Sequence, residues 1–398
     1  MISKLAEDLI QKFFKVSSLI HCVPWEYEAK KMIIIRKKSL KKLYLNVANI
    51  FAYTIFLMVR FPATLRGVGP LQFIHVIIHL IGIFCAIIVS AVCCTEYVVA
   101  KDDIIEQMNI ASLYYRKFVE MFGKPVLQKM GVVPAGIDLW MEMFMYGVPL
   151  TAAIVCPLFA CAVPQLNIFI TSIFVDYIKR KGFGPTVLLI VISMIHSWVF
   201  TSGVVMAMNM LFFLVPQLYP ICNILMELRP DMHFSKITKA NTRLPENAIL
   251  TLRIIKIIQQ RCNKITSRNI APTALLILMS ISVLCNYAVF TSRIIPGLAV
   301  AVIVGKILGS LMSPVAVLII IIACNIAAKV VTLYAKTTRA FKNEKTSAYW
   351  KKVLRSLKPE AMKIASFTKI ERMTTVHTAL AIIRYTGRLI IWFKGKGH

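Results

Sequence analysis

Residues 297–328 read GLAVAVIVGKILGSLMSPVAVLIIIIACNIAA, and the next residue is Lys329. Lys306 is the sole charge within that run. A helix lying on a water-soluble core shows a polar side every three or four residues; this stretch shows none. An α-helix rises 1.5 Å per residue, so roughly 20 apolar residues cross a hydrocarbon layer about 30 Å thick. The run therefore predicts a transmembrane helix. Five more of the same kind occupy 43–61, 71–94, 138–163, 185–214 and 271–291. A seventh, 373–393, is broken by Arg384 and Arg388. The expected fold is an all-α polytopic membrane protein of seven transmembrane helices, with the transmembrane domain over 43–393.

The whole composition agrees. Hydrophobic residues make up 58% of the 398 and charged ones 16%, with a mean hydropathy of +0.71. Soluble domains sit near about 45–50% apolar and about 25% charged, so a single aqueous core would not hide this surface. The net charge of +29 resembles that of a nucleic-acid binder, but the basic residues are spread between the apolar runs. That placement is expected of cytosolic loops held beside anionic lipid, and no nucleic-acid partner is expected.

The same spread sets the orientation. Lys and Arg number ten in 1–42, five in 95–137, nine in 215–270 and eleven in 329–370. The alternating segments hold two (Arg60, Arg66), three (Lys179, Arg180, Lys181), one (Arg293) and two (Lys394, Lys396). The positive-inside rule then puts 1–42 in the cytosol as an N-terminal segment and the C-terminus outside the cell, in a multi-pass plasma-membrane protein. The first forty residues hold no sustained apolar signal region, so the first long run is expected to act as an internal signal anchor.

Two stretches beyond the spans keep helical spacing. In 249–258, Leu250, Ile254, Ile257 and Ile258 recur around Arg253 and Lys256; in 329–350, Val330, Leu333, Tyr334 and Phe341 alternate with Lys336, Arg339, Lys342 and Lys345. Cytosolic anchor helices are expected over about 215–270 and 329–370. They would either lie on the inner leaflet or form a bundle joining subunits. Leu214–Leu225 stays apolar as well, so span four either runs long or bends at Pro216 and Pro220.

Enzyme signatures are missing from the sequence. There is no phosphate-binding loop, dinucleotide fingerprint, nucleophile elbow or His-Glu-x-x-His site. His75 and His79 would share a helix face, but no third ligand joins them, and neither a metal nor a cofactor is expected. Of the ten cysteines, seven fall in spans and three in cytosolic segments, so no outer disulfide framework is expected. No Asn-x-Ser/Thr acceptor occurs.

The C-terminal segment carries the one family likeness. Leu357-Lys358-Pro359 precedes Met362-Lys363-Ile364-Ala365-Ser366-Phe367-Thr368, followed by 375–380, Ile382-Ile383, Tyr385-Thr386 and Leu389-Ile390-Ile391. With the cytosolic N-terminus, seven spans and basic inner loops, this resembles the arthropod gustatory and odorant receptor superfamily. Arg384-Tyr385 stands where the gustatory pattern has Thr-Tyr, and Trp392-Phe393 closes the helix one residue late where that pattern has Gln-Phe. The likeness is thus to a divergent member. It implies a chemosensory receptor, not an enzyme: a ligand-gated, non-selective cation channel for small-molecule tastants or odorants. It further implies four subunits around one pore, as a homo- or hetero-tetramer with or without a co-receptor, embedded in membrane lipid. The alternatives are a seven-helix secondary transporter or a G-protein-coupled-type receptor. The latter places its N-terminus outside, and an acidic-Arg-aromatic triplet is absent here.

The resemblance places a ligand pocket among spans two to six, in the outer half of the bilayer. The polar and aromatic residues expected there are His75, His79, Tyr146, Phe159, His196, Trp198, Asn286 and Tyr287. A mid-span His or indole N–H needs a partner, which favours His196 and Trp198. In the last span, Thr374, Thr378, Ala381, Tyr385 and Arg388 recur at spacings of three and four and share one face. That face would line the pore; otherwise the threonines serve backbone carbonyls and the arginines snorkel to lipid phosphate.

Overall fold

Two helices of this chain are longer than any bilayer requires. The fold is seen in a computed structural model that describes residues 4–28, 33–66, 72–124, 147–162, 164–165, 167–180, 182–231, 238–291, 299–343, 347–364 and 368–394. The described elements are α1 (Lys4–Leu19), a hairpin of β1 (Trp25–Glu28) and β2 (Ile33–Arg36), α2 (Lys41–Leu65), α3 (Gln72–Val92), α4 (Lys101–Phe122) and α5 (Val148–Ala162). Then come α6 (Phe183–Leu228), α7 (Pro245–Ile265), α8 (Ala271–Thr291), α9 (Ala299–Asn343) and α10 (Ala348–Ser356). A two-residue-stranded hairpin, β3 (Lys363–Ile364) with β4 (Thr368–Lys369), leads into α11 (Arg372–Lys394). The chain is predominantly α-helical. Among the described residues four helical stretches are long and apolar enough to cross a membrane: Lys41–Leu65, His79–Val99, Phe183–Asn209 and Ser313–Asn343. That is the build of a helical membrane protein. Ala271–Tyr287 is a shorter apolar helix, and the expected span 138–163 lies partly outside the described residues.

The α6 helix has 46 residues and α9 has 45, each about 65–70 Å at 1.5 Å per residue. More than half of each therefore extends past a 30 Å hydrocarbon layer. The α6 helix runs on through Pro216 and Pro220 to Leu228 rather than ending there. Beyond that layer α6 packs against α4, α7 and α9, and the 329–343 half of α9 turns Val330, Leu333, Tyr334 and Phe341 inward. Tyr334 donates to the Leu252 carbonyl at 3.2 Å and Thr337 to the Leu225 carbonyl at 3.0 Å. The apolar side of this basic helix thus faces its own chain, not a leaflet. Lys336 and Arg339 stay exposed.

On α7 the expected apolar face is corrected. Pro245 sits at the first helical position, where its missing N–H costs nothing. The buried side is Ile249, Leu252, Ile255 and Ile258, continued by Gln259, Cys262 and Asn263. Leu250 and Ile257 are 56% and 54% exposed. In so aliphatic a stretch, two helical stripes satisfy the same spacing, and the neighbours α4 and α6 decide between them.

The N-terminal segment departs most from the sequence expectation, which held no strand. The α1 helix ends with His21 in the left-handed region (φ 56), where the N–H of Cys22 reaches the Ser17 carbonyl at 2.9 Å. The Nδ2 group of Asn46 holds the Ile20 and His21 carbonyls at 3.1 and 3.2 Å. The hairpin then docks through one amide: Asn109 accepts from the Ile34 N–H at 2.8 Å and donates to the Ile34 carbonyl at 2.7 Å. Side-chain amide and strand backbone pair as two strands would. Trp25 packs edge-on to Phe14 and tilted on Tyr97 beneath it.

Elsewhere small residues let helices close. A Cβ added at Gly309 of α9 would stand 3.0 Å from Val289 Cγ2 and 3.4 Å from the Cys285 carbonyl oxygen of α8. The last helix, α11, rests on α8 and α9.

Removing the Asn109 amide should undock the hairpin. Asn109→Ala is expected to cost about 1–3 kcal/mol, since two backbone groups lose their partner. Cys22 is fully buried behind the hairpin, and burial pushes its thiol up to about 12. In the variant it should return toward about 8.5 and label with maleimide at neutral pH. Peptide mapping of the labelled, detergent-solubilised chain reads this directly; a Cys22 that stays inert would mean that other contacts hold the hairpin.

Candidate functional site

The polar side chains of α6 fall on successive turns. Ser193, Ser197 and Thr201 are four apart and share a face, with His196 beside them. Two of them bind α5: Ser193 Oγ accepts from the Cys161 thiol at 3.3 Å, and Ser197 donates to the Ala153 carbonyl at 3.2 Å. His196 turns toward α2 and is 2% exposed. Its ring meets Tyr53 at 5.1 Å and Phe169 at 5.2 Å between centroids, both edge-on.

Residues 167–172 cover this seam. Tyr53 donates its hydroxyl to the Ile168 carbonyl at 3.0 Å, and Arg60 reaches Asn167 Oδ1 at 2.7 Å and Ser172 Oγ at 3.3 Å. Thr171 ties back to the Pro164 carbonyl at 3.0 Å. Beneath the cover His196 Nδ1 is buried without a hydrogen-bond partner among the described residues, as is Thr201 Oγ1 farther along α6. An unmet buried polar group costs about 1–3 kcal/mol. Apolar and aromatic walls with one or two unpaired polar atoms are the make-up of a small-molecule site.

The other expected ligand residues are not gathered here. His79 is fully buried but satisfied: Nδ1 pairs with Thr64 Oγ1 at 2.7 Å and Nε2 with the Leu57 carbonyl at 2.8 Å. With both nitrogens engaged it staples α3 to α2, and His75, a turn away, is half-buried. Trp198 is 49% exposed and reaches Asn46 Oδ1 at 3.4 Å, on a different side of α6 from His196. Asn286 and the buried Tyr287 belong to α8, which packs on α3, α9 and α11, a separate seam. Tyr146 and the side chain of Phe159 lie outside the described residues. Among the described residues, no group of three His, Cys, Asp or Glu is placed to hold a metal ion.

Sequence reasoning missed Tyr53, Phe169, Thr201 and Arg60. The period-four run from Ser193 to Thr201 was a usable signal. Nothing in the order of residues joins Tyr53 to a segment 115 positions later.

On α11 the expected pore residues sit at the border of two environments. Thr378 is packed and gives its hydroxyl to the Thr374 carbonyl at 2.8 Å. Thr374 and Ala381 are half-buried, and Tyr385 and Arg388 are exposed, the guanidinium 6.0 Å from the Tyr385 ring centre. Ile382 and Thr386 complete the packed side, whereas His377, Leu380, Ile383, Arg384 and Ile391 face away from the chain.

Compared with known proteins, the chain matches no family model, and no curated protein is significantly similar to it.

The two buried histidines should answer mutation oppositely. His79→Leu removes two hydrogen bonds and should cost about 1–3 kcal/mol. His196→Phe removes an unpaired nitrogen from an aromatic nest and should cost less than about 1 kcal/mol, or stabilise. Thermal unfolding of the purified chain in detergent compares them; an equal loss would show that His196 has a partner.

Proposed function

We propose that this chain is one subunit of a chemosensory, ligand-gated ion channel of the arthropod gustatory and odorant receptor kind. In this reading seven helices span the plasma membrane, the N-terminus and the basic helical layer are cytosolic, and the C-terminus is extracellular. Small molecules bind under the 167–172 cover against His196, Tyr53 and Phe169.

The supporting observation is the one-sided packing of α11. A membrane helix that a bundle needs only for stability is wrapped by it or turned with an aliphatic face to lipid. Here the uncovered side carries His377, Arg384, Tyr385 and Arg388 among Leu380, Ile383 and Ile391. A charge at mid-membrane costs roughly 2.5–3.5 kcal/mol, so this side is expected to meet water or other subunits. Four copies arranged with α11 innermost would enclose a shared aqueous path. The 46-residue α6 helix links the proposed ligand seam to the cytosolic layer as one continuous element.

Patch recording with a panel of small organic molecules tests the channel. Agonist-evoked currents are expected in expressing cells, and His196→Phe should raise the half-maximal agonist concentration at least about tenfold, a loss of roughly 1.4 kcal/mol. Neutralising Arg384 and Arg388 to Gln should move the reversal potential toward that of the main cation, because a positive ring disfavours cations. Particles without four-fold symmetry, or a residue 1–42 segment cut by protease applied outside intact cells, would sink the reading.

A further inference from the structure

The segment Arg36-Lys37-Lys38-Ser39-Leu40-Lys41-Lys42 joins the N-terminal hairpin to α2. Five of these seven residues are cationic, and no Asp or Glu occurs in the sequence between Glu28 and Glu96. Cations at the edge of a span are expected of a cytosolic segment. A hydroxyl set among them is not explained by that rule.

The fold sorts the seven residues. Lys37 turns inward, where its Nζ donates to the Ser18 carbonyl at 2.6 Å, and Leu40 is buried. Arg36, Lys38, Ser39, Lys41 and Lys42 are exposed. Arg36 lies 3.6 Å from Asp102 in an ion pair whose side chains are 54% and 65% exposed, so the pair holds it weakly. Ser39 belongs to no helix or strand: β2 ends at Arg36 and α2 opens at Lys41. It is the sole serine of the chain that follows an arginine by three residues. The one threonine with that spacing, Thr375 after Arg372, lies within α11, whose backbone is committed to the helix.

We infer that Ser39 is a phosphorylation site for a serine kinase that reads basic residues. Such a kinase takes an extended segment and pairs its own carboxylates with an arginine three residues before the acceptor. The Ser39 Oγ would attack the γ-phosphorus of Mg²⁺-ATP. A bond forms from Oγ to phosphorus, the bond from phosphorus to the β–γ bridging oxygen breaks, ADP leaves, and the hydroxyl proton passes to a carboxylate of the kinase. The product places a charge of about −1.5 to −2 in the segment that holds Lys38, Lys41 and Lys42. It stands just before a 25-residue helix whose first turn has no acidic residue and whose Leu40 cap supplies no side-chain hydrogen bond. Negative charge is favoured at such an end. The phosphate also offsets the cations that anionic headgroups would attract. Access to cellular ATP rests on the cytosolic placement in the channel reading; the chemistry at Ser39 does not.

The test incubates the full chain in detergent micelles with Mg²⁺-ATP and the catalytic subunit of cyclic-AMP-dependent kinase, and locates phosphate by peptide mass spectrometry. Ser39 should be the main site, and Arg36→Gln should lower its initial rate at least about tenfold, since a charge-assisted pair with the kinase is lost. A rate unchanged in Arg36→Gln overturns the inference. The buried Leu40 has to lift for the kinase to bind, and Asn109→Ala, which undocks the hairpin, frees it. No phosphate on Ser39 in either the parent chain or Asn109→Ala also overturns the inference. Micelles open both faces of the protein, so that failure leaves the channel reading standing. Phospho-Ser39 is expected as well on chain purified from expressing cells treated with a phosphatase inhibitor. Its absence there, with phosphate present in micelles, overturns the inference too, and protease access to residues 1–42 then shows whether the cytosolic placement is at fault.

Discussion

Hydrocarbon offers no hydrogen bonds, so each polar group drawn into this bundle has to be satisfied from within it. The packing of the described helices follows from that constraint. Thr54 and Ser90 join α2 to α3 at 3.0 Å, and His79 joins the same two helices higher up through both ring nitrogens. Tyr97 gives its hydroxyl to the Met206 carbonyl at 2.7 Å. Asn209 reaches Ser17 at 3.1 Å and so ties α6 to the N-terminal helix. Between apolar surfaces of equal affinity for lipid, such bonds and the close approach at Gly309 are what distinguish one arrangement from another.

The same constraint gives meaning to the exceptions. His196 Nδ1 and the oxygens of Gln259 and Asn263 are among the buried atoms that find no hydrogen-bond partner in the described residues. They lie at different heights along the α6 helix, one under the 167–172 cover and the others beside Leu218. A continuous helix is a poor place to hide a local adjustment, since moving one end of a rod moves the other.

The helical membrane character was legible because it depends only on composition and run length, and 297–328 alone carries enough of it. Helix positions followed where apolar runs ended in lysines or loops. What was not legible depended on neighbours. The face of α7 was misread because Leu250 and Ile257 fit a helical stripe as well as Ile249, Leu252 and Ile255 do, and only α4 and α6 break the tie. The hairpin at 25–36 was invisible because its anchor is Asn109, a side chain from a different helix. Of the site, His196 was found from the rule that a mid-span imidazole needs a partner. The same rule put Trp198 beside it, and the search for polar and aromatic residues in the outer half added His79, because spacing cannot tell a satisfied ring from an unsatisfied one.

The last helix shows how far each kind of reasoning reaches. Spacing grouped Thr374, Thr378, Ala381, Tyr385 and Arg388 on one stripe, and geometry keeps that stripe but runs it along an edge. At its start the stripe is covered by α8 and α9, so Thr378 bonds the Thr374 carbonyl; toward its end the cover stops and Tyr385 and Arg388 emerge. A hydroxyl already committed to the backbone is a weak partner for a passing ion, whereas an uncovered guanidinium acts on any ion that approaches. If four such helices do surround a path, its character is decided less by the threonines than by Arg384 and Arg388. Their positive charge has to be offset by water, by lipid phosphate or by the ions themselves.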